Sequence, residues 1–303
     1  MIARILIPVV VFTLLPYLWI YKRYGKLRLK SLWQRVLFWL PAFVVIAYSA
    51  YITMQPNFLP RNPVLIDIWF VMMAVCAVPQ FVFSLFSVFG WCCMRLLHGH
   101  RNWGKLLGLV VGAVAFFCFI YGFTEGFPKM QVKRITIYVP NLPKSFEGYR
   151  IVQFSDIHLG SYYGWRGHLP QRDIDSINAE KPDLICFTGD LQNVTPDELP
   201  KYQALLSSLK ARDGVMSVLG NHDYTYYMDV DDEQEIAVLE KRMQDFQRSC
   251  GWHLLMNEHV AVHRDADSIY VAGTENYDKP KRTNVRKALY GIRPGSFVLM
   301  LQH

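Results

Sequence analysis

The sequence predicts two unlike domains: an N-terminal α-helical transmembrane domain over residues 1–127, then an α/β domain over residues 128–303. Three observations predict this. Four apolar runs in the first part reach the length of about 20 residues that a helix needs to cross a bilayer. Strand-type and helix-type periodicities alternate through the second part. Short motifs of Asp, His and Asn follow the strand-like runs there, where open α/β sheets gather their ligands.

The apolar runs cover residues 2–21, 32–54, 64–97 and 106–123. The third is over-long, and Pro79 inside it predicts a kink, or an interfacial stretch at its end. A cleaved leader is disfavoured for the first. No small-residue cleavage site follows it, and Tyr17, Trp19 and Tyr21 fill its end. No charged residue lies deep in a span: Asp67 is near the start of the third run and Glu125 just past the fourth. Transport pathways place ionisable groups at mid-membrane. Their absence reads as an anchor and weakens the case for a transporter with an accessory domain. His98 and His100, without a third donor nearby, read as a solvated loop.

Charge separates the halves as well. Residues 1–127 carry 11 Lys and Arg against two acids, and residues 128–303 carry 21 against 23. The net charge of +7 therefore comes from the membrane part. Nucleic-acid binders cluster such residues on a folded face, so no nucleic-acid partner is expected; the bilayer itself is. The first loop holds Lys22, Arg23, Lys26, Arg28, Lys30 and Arg35, the second only Arg61, and the third Arg95, Arg101 and Lys105. Positive loops stay in the cytoplasm. An integral, multi-pass inner-membrane protein is expected, with its α/β domain on the periplasmic or extracytoplasmic side. The six cysteines give no disulfide framework, since four lie in or beside spans, Cys186 falls in a strand-like run and Cys250 lacks an evident partner.

In the α/β part, residues 132–139 alternate apolar and polar with one register break, as a half-buried strand would. After a loop over 140–148, the pattern predicts strand 150–155, helix 169–180 and strand 183–188. Helix 196–210 follows, opened by Thr195 and Pro196, then strand 214–219 and helix 231–249. Short strands near 252–256, 259–263 and 268–272, a helix over 282–290 and a final strand over 297–301 complete the series.

Asp156 and His158 follow the first strand. They lie two apart, so on an extended strand end they would point the same way. Asp190, after Gly189, follows the second strand, where one carboxylate could bridge two ions. Asn221, His222 and Asp223 follow the third. The separations of 34 residues from Asp156 to Asp190 and 31 from Asp190 to Asn221 each fit one helix and one strand. Hard oxygen donors mixed with imidazoles suit Mn, Fe, Zn or Mg.

The motifs Ser155-Asp156-Ile157-His158, Thr188-Gly189-Asp190, Gly220-Asn221-His222-Asp223 and Leu299-Met300-Leu301-Gln302-His303 resemble those of the calcineurin-like metallophosphoesterases. Membrane-anchored bacterial members are the nearest likeness, and the resemblance covers about residues 148–303. It implies two packed β-sheets flanked by helices, and a two-metal site activating water against a phosphomonoester, phosphodiester or pyrophosphate. Phosphorylated small molecules and lipid-linked compounds are the implied substrates. Carried over by position, Asp156 and His158 would bind the first ion, Asp190 would bridge, and Asn221 and His303 would bind the second. His222 would be the acid near the leaving group, oriented by Asp223.

The family pattern also has a Gly-His-x-His segment beyond the histidine that His303 matches, and the sequence has none. The chain is therefore expected to be a C-terminally truncated fragment, with weak metal affinity and little hydrolysis by itself. The alternative is a non-catalytic membrane or interaction protein that keeps the fold without a complete site. Tyr162, Tyr163, Trp165, Tyr224, Tyr226 and Tyr227 follow two of the motifs and would line a pocket, meet the membrane interface or pack the loops. Gly273-Thr274-Glu275-Asn276 ends another strand and receives no role.

Overall fold

A computed structural model of the chain describes residues 3–55, 62–228 and 230–303. It divides into two units, Met1–Lys129 and Met130–His303. Ile2 and Arg61 lie outside the described residues.

The first unit is helical. Helices α1 (Ala3–Ile20), α2 (Leu32–Thr53), α3 (Pro63–Met72), α4 (Val78–Leu96) and α5 (Gly104–Tyr121) supply its length. Among the described residues, four stretches are long and apolar enough to cross a membrane: Ile5–Gly25, Leu32–Thr53, Val64–Leu96 and Gly104–Gly126. The over-long third run is two helices joined by a five-residue π turn, Met73–Ala77. Pro79 then falls in the first turn of α4. Its ring nitrogen cannot donate back along the helix, and the wider π turn absorbs the mismatch.

Glycine lets α5 lie directly on α4. A Cβ at Gly108 would stand 2.8 Å from the Phe83 carbonyl oxygen, and one at Gly112 would stand 3.1 Å from that of Pro79. Small residues at four-residue spacing allow such backbone contact between membrane helices. Ser87 adds a polar tie: its hydroxyl meets Trp19 Nε1 at 3.1 Å and Tyr24 OH at 2.7 Å, and its carbonyl accepts from Asn102 Nδ2 at 2.9 Å. Hydrocarbon offers polar groups no partner, so they find one another.

The second unit holds two sheets. Strands β1 (Ile151–Phe154), β2 (Leu184–Phe187), β3 (Val215–Ser217) and β4 (His253–Leu254) form a parallel sheet in sequence order. Strands β5 (Glu258–Arg264) and β6 (Asp267–Gly273) form an antiparallel hairpin, and β7 (Val298–Leu301) joins β6 in parallel. Strand alternation explains the layers. Leu184, Cys186, Met216 and Val218 face one way and cluster with Val262, Ile269, Val271 and Leu301 of the second sheet. Ile185, Phe187 and Val215 face the other way. They pack with Ile174 of α6 (Leu169–Ala179), Leu206 of α7 (Gln203–Leu206) and Met243 of α8 (Glu233–Ser249). A final short helix, α9, covers Val285–Ala288. The expected packed sheets and flanking helices are therefore present.

Three expectations change. Residues 132–139 form no strand; Ile135 is 74% and Tyr138 90% exposed. Alternation suits a strand, but a strand needs a neighbour for its backbone groups, and none pairs here among the described residues. Helix 196–210 is instead two 3-10 turns, Pro196–Glu198 and Pro200–Tyr202, followed by α7. Pro200 has no N–H to return to Pro196, so the ladder of helical hydrogen bonds is interrupted there. The first strand, whose apolar run reads as buried by sequence, is a half-exposed edge. The six cysteines are free.

Candidate metal centre

Parallel pairing brings the ends of the first three strands together, with Phe154 opposite Phe187 and Phe187 opposite Ser217. The polar motifs begin two to four residues later. The loop after β1 runs along the loop after β2: Asp156 N–H donates to the Gly189 carbonyl at 2.9 Å, and Leu159 N–H to that of Leu191 at 2.9 Å. Asp156 and His158 have φ of +54° and +44°. Their backbone is left-handed rather than the extended strand end expected from their spacing.

The residues converge in a different grouping. Ligand atoms of His158, Asp190 and His222 lie within 4.8 Å of one another, and so do those of Asp156, Asp190 and His303. Asp190 belongs to both sets. Its Oδ2 stands 3.5 Å from Nε2 of His158 and 3.5 Å from Nε2 of His303. Asn221 Oδ1 lies 3.0 Å from the same nitrogen of His303. Asp156 shares its set with His303 and Asp190.

The imidazoles share one mode of fixation. Nδ1 of His303 meets the Thr188 carbonyl at 2.8 Å, that of His158 meets Gln192 at 3.1 Å, and that of His222 meets Asn193 at 2.6 Å. A carbonyl only accepts, so each Nδ1 carries the proton and donates. Each Nε2 is left to face the centre. For His303, that nitrogen looks at two oxygens, Asp190 Oδ2 and Asn221 Oδ1. Lone pairs facing lone pairs are stable only with a proton or a cation between them. The donor set therefore fits a divalent cation, with each ring held by an outer hydrogen bond as metal-bound histidines usually are.

All three carbonyls come from the single loop after β2. Glu198 shapes it: its carboxylate accepts the N–H groups of Asn193, Val194 and Thr195 at 2.7, 2.9 and 3.1 Å. Asp223 does the same from the other side. It is 1% exposed, and its carboxylate accepts from Asp190, Leu191, Gln192 and Gly220. The orienting partner of His222 is therefore the Asn193 carbonyl, not Asp223. Burial pushes the Asp223 carboxyl up to about 7; the Gly220 N–H opposes the rise and the Asp190 charge adds to it.

Tyr227 stacks on His222, ring centroids 4.2 Å apart, and its hydroxyl accepts from Asn221 Nδ2 at 2.7 Å. That bond sets the amide with its oxygen toward His303. Sequence reading gave Tyr227 no single role and missed Glu198. The Thr195-x-x-Glu198 capping box was the available signal for the latter. Gly273–Asn276 joins the outer support, with Glu275 bonded to Asn257 Nδ2 at 2.6 Å.

Residues 149–286 match the family described as "Calcineurin-like phosphoesterase". The α/β unit is a calcineurin-like phosphoesterase domain. Residues 3–127 match "Probable Calcineurin-like phosphoesterase, transmembrane domain", so the helical unit is that of a membrane protein of the same family. A zebrafish (Danio rerio) transmembrane protein with metallophosphoesterase domain is 28% identical over 258 residues, 78% of this chain and 55% of the relative. The uncharacterized metallophosphoesterase YkuE of Bacillus subtilis is 42% identical over 95 residues, 30% of this chain and 32% of the relative. The UDP-2,3-diacylglucosamine pyrophosphatase LpxG of Chlamydia trachomatis is 37% identical over 102 residues, 32% of this chain and 30% of the relative. The chain spans about half the length, or less, of these phosphoesterase relatives.

Proposed function

We propose that the protein is a membrane-anchored phosphoester hydrolase whose α/β unit holds two divalent ions and whose substrate is phosphorylated and lipid-linked. The observation that carries the reading is Asp190 Oδ2, 3.5 Å from Nε2 of both His158 and His303, whose Nδ1 protons are already committed to carbonyls. One carboxylate between two outward-fixed imidazoles suits a bridge. Asp156, Asn221 and His303 would hold one ion with it, and His158 the other. Two such ions supply a lowered pKa for a shared water and a clamp on the phosphoryl oxygens.

His222 is assigned the acid's work at the leaving-group oxygen. Imidazole titrates in the range that proton transfer at neutral pH requires. The Asn193 carbonyl fixes its tautomer and Tyr227 its plane, so Nε2 is the atom that would give the proton. Asp223 holds the two loops that carry Asp190 and His222. The lipid-linked class is supported by the membrane helices and by LpxG, whose name specifies a diacylated nucleotide sugar. Loop charge favours an extracytoplasmic α/β unit. A reporter fused after Gly148 would be active only outside the cytoplasm, and a cytoplasm-only signal would reverse the orientation.

The deciding experiment is hydrolysis of p-nitrophenyl phosphate, bis(p-nitrophenyl) phosphate and a nucleoside diphosphate sugar by the purified full-length protein with Mn²⁺. Asp190→Ala should abolish turnover, and His222→Ala should slow it while sparing metal content. Failure of the metal-loaded protein to cleave any of the three would sink the reading.

A further inference from the structure

From His222 a line of rings leads away from the candidate centre. His222 stacks on Tyr227, Tyr227 meets Tyr226 edge-on at 5.2 Å, and Lys279 Nζ stands 5.6 Å from the Tyr226 ring centre. Beside it Lys281 Nζ stands 5.9 Å from the ring of Tyr277. Tyr226 and Tyr277 are 51% and 61% exposed, so solvent reaches both rings beside the ammonium groups. Neither lysine makes an ion pair with a described residue. Asp278, exposed and directly before Lys279, leaves this short stretch one positive charge in excess.

The loop is held in place. Arg282 and Thr283 N–H groups both donate to the Asn276 carbonyl at 3.0 Å, closing the excursion that carries the lysines. Arg282 is spent on anchoring: it pairs with Glu240 of α8 at 2.6 Å and lies over the Tyr224 ring at 5.1 Å. Asn257 Nδ2 holds the Arg282 carbonyl at 3.0 Å. Two ammonium groups on two exposed aromatic faces, on a bolted loop, make a surface for an anion attached to a flat or sugar ring.

We propose that Lys279, Lys281, Tyr226 and Tyr277 form a distal subsite binding a second phosphate of the substrate and the ring that carries it. The inference rests on the phosphoesterase reading and narrows its substrate class to compounds with a phosphate beyond the one being attacked.

The test is equilibrium binding of adenosine diphosphate and of inorganic phosphate to the Mn²⁺-loaded protein in detergent, by calorimetry. A Lys279→Ala, Lys281→Ala double variant should weaken diphosphate binding about tenfold, a change of about 1.4 kcal/mol, and leave inorganic phosphate unchanged. Tyr226→Ala should weaken the diphosphate alone. The corresponding double arginine variant should restore it, because charge over a ring is what matters. Equal loss for both ligands, no loss for either, or a wild type that prefers inorganic phosphate would each overturn the subsite. Intact selective binding without hydrolysis would overturn the hydrolase reading and leave the subsite standing.

Discussion

The carboxylate of Asp223 accepts the backbone N–H of Asp190 at 2.9 Å. That bond joins the loop after β3 to the loop after β2. Three further N–H groups, from Leu191, Gln192 and Gly220, complete the set. The buried carboxylate is thus a clamp on the loops that carry both the shared Asp190 and His222. Its effect on chemistry passes through position, since the hydrogen bonds it accepts all come from backbone N–H groups.

Replacing Asp223 by Asn keeps the shape and removes the clamp's charge. The amide's own NH₂ would then face backbone donors. Hydrogen bonds to a charged group are worth about 1.5–3 kcal/mol each. Losses within such a network do not add, so Asp223→Asn should cost about 2–4 kcal/mol in total. Hydrogen exchange read by mass spectrometry should show faster exchange in the peptide spanning residues 188–193. Unchanged protection there would mean the carboxylate does not hold the loop.

The same group sets a pH dependence in protein stripped of cations. The folded-state pKa of Asp223 is raised to about 7 from an ordinary carboxylate value. The native state therefore binds a proton that the unfolded chain has already released. This contribution is fully present below about pH 4 and is lost as pH rises toward 7. Thermal unfolding in chelator should show stability falling across that window, with the slope reduced in Asp223→Asn. A wild type and variant with parallel profiles would contradict the assignment.

Much of this was legible from residue order, and the failures have physical causes. Strand, motif and spacing together indicated Asp156, His158, Asp190 and Asn221, the family resemblance added His303, and the structure brings them to one edge. How they divide was not legible. Spacing cannot report the positive φ at Asp156 and His158, which breaks the extended geometry. Nor can it report the Thr188, Gln192 and Asn193 carbonyls, because every residue has one. Residues 132–139 carry a strand's alternation, yet pairing depends on a neighbour that a local pattern does not contain. In residues 196–210 the cap at Thr195 was right and the length wrong, because Pro200 interrupts the ladder.

Two glycines face each other where the clamped loops meet. A Cβ on Gly189 would lie 2.4 Å from the Gly220 nitrogen and 2.9 Å from His303 Nδ1, and Gly189 has φ of +96°. Gly189→Ala should therefore be destabilised by about 1–3 kcal/mol, from backbone strain and overpacking. Mn²⁺ affinity should fall at least about tenfold, or about 1.4 kcal/mol, because His303 must move. Calorimetry on the variant checks this, and native affinity would show that the loops can part without cost.

The helical unit offers an independent test at Gly108. Its missing side chain lets the α5 backbone sit against Phe83, where a Cβ would come within 2.8 Å of the carbonyl oxygen. Gly108→Leu cannot be relieved by rotating a side chain, since the obstacle is backbone. The detergent-solubilised variant should melt at lower temperature and be cut sooner by protease in the 97–103 loop. An unaltered melting curve would mean that α4 and α5 separate freely.

Glu198 provides the last test, because it acts on the candidate centre only through the main chain. Its carboxylate holds the N–H groups of Asn193, Val194 and Thr195, and Asn193 presents the carbonyl that fixes the His222 ring. Removing the carboxylate should free that carbonyl to rotate and let His222 sample its other tautomer. Glu198→Ala should then lower kcat about tenfold, a barrier increase of about 1.4 kcal/mol, with KM nearly unchanged. Its pH–rate profile should lose the limb that belongs to the acid, whereas Glu198→Gln, with one acceptor oxygen left, should recover part of both. A merely structural role would predict something else: lower stability with the wild-type pH profile intact in the molecules that remain folded. If Glu198→Ala gives that pattern, the Asn193 carbonyl is not what positions His222.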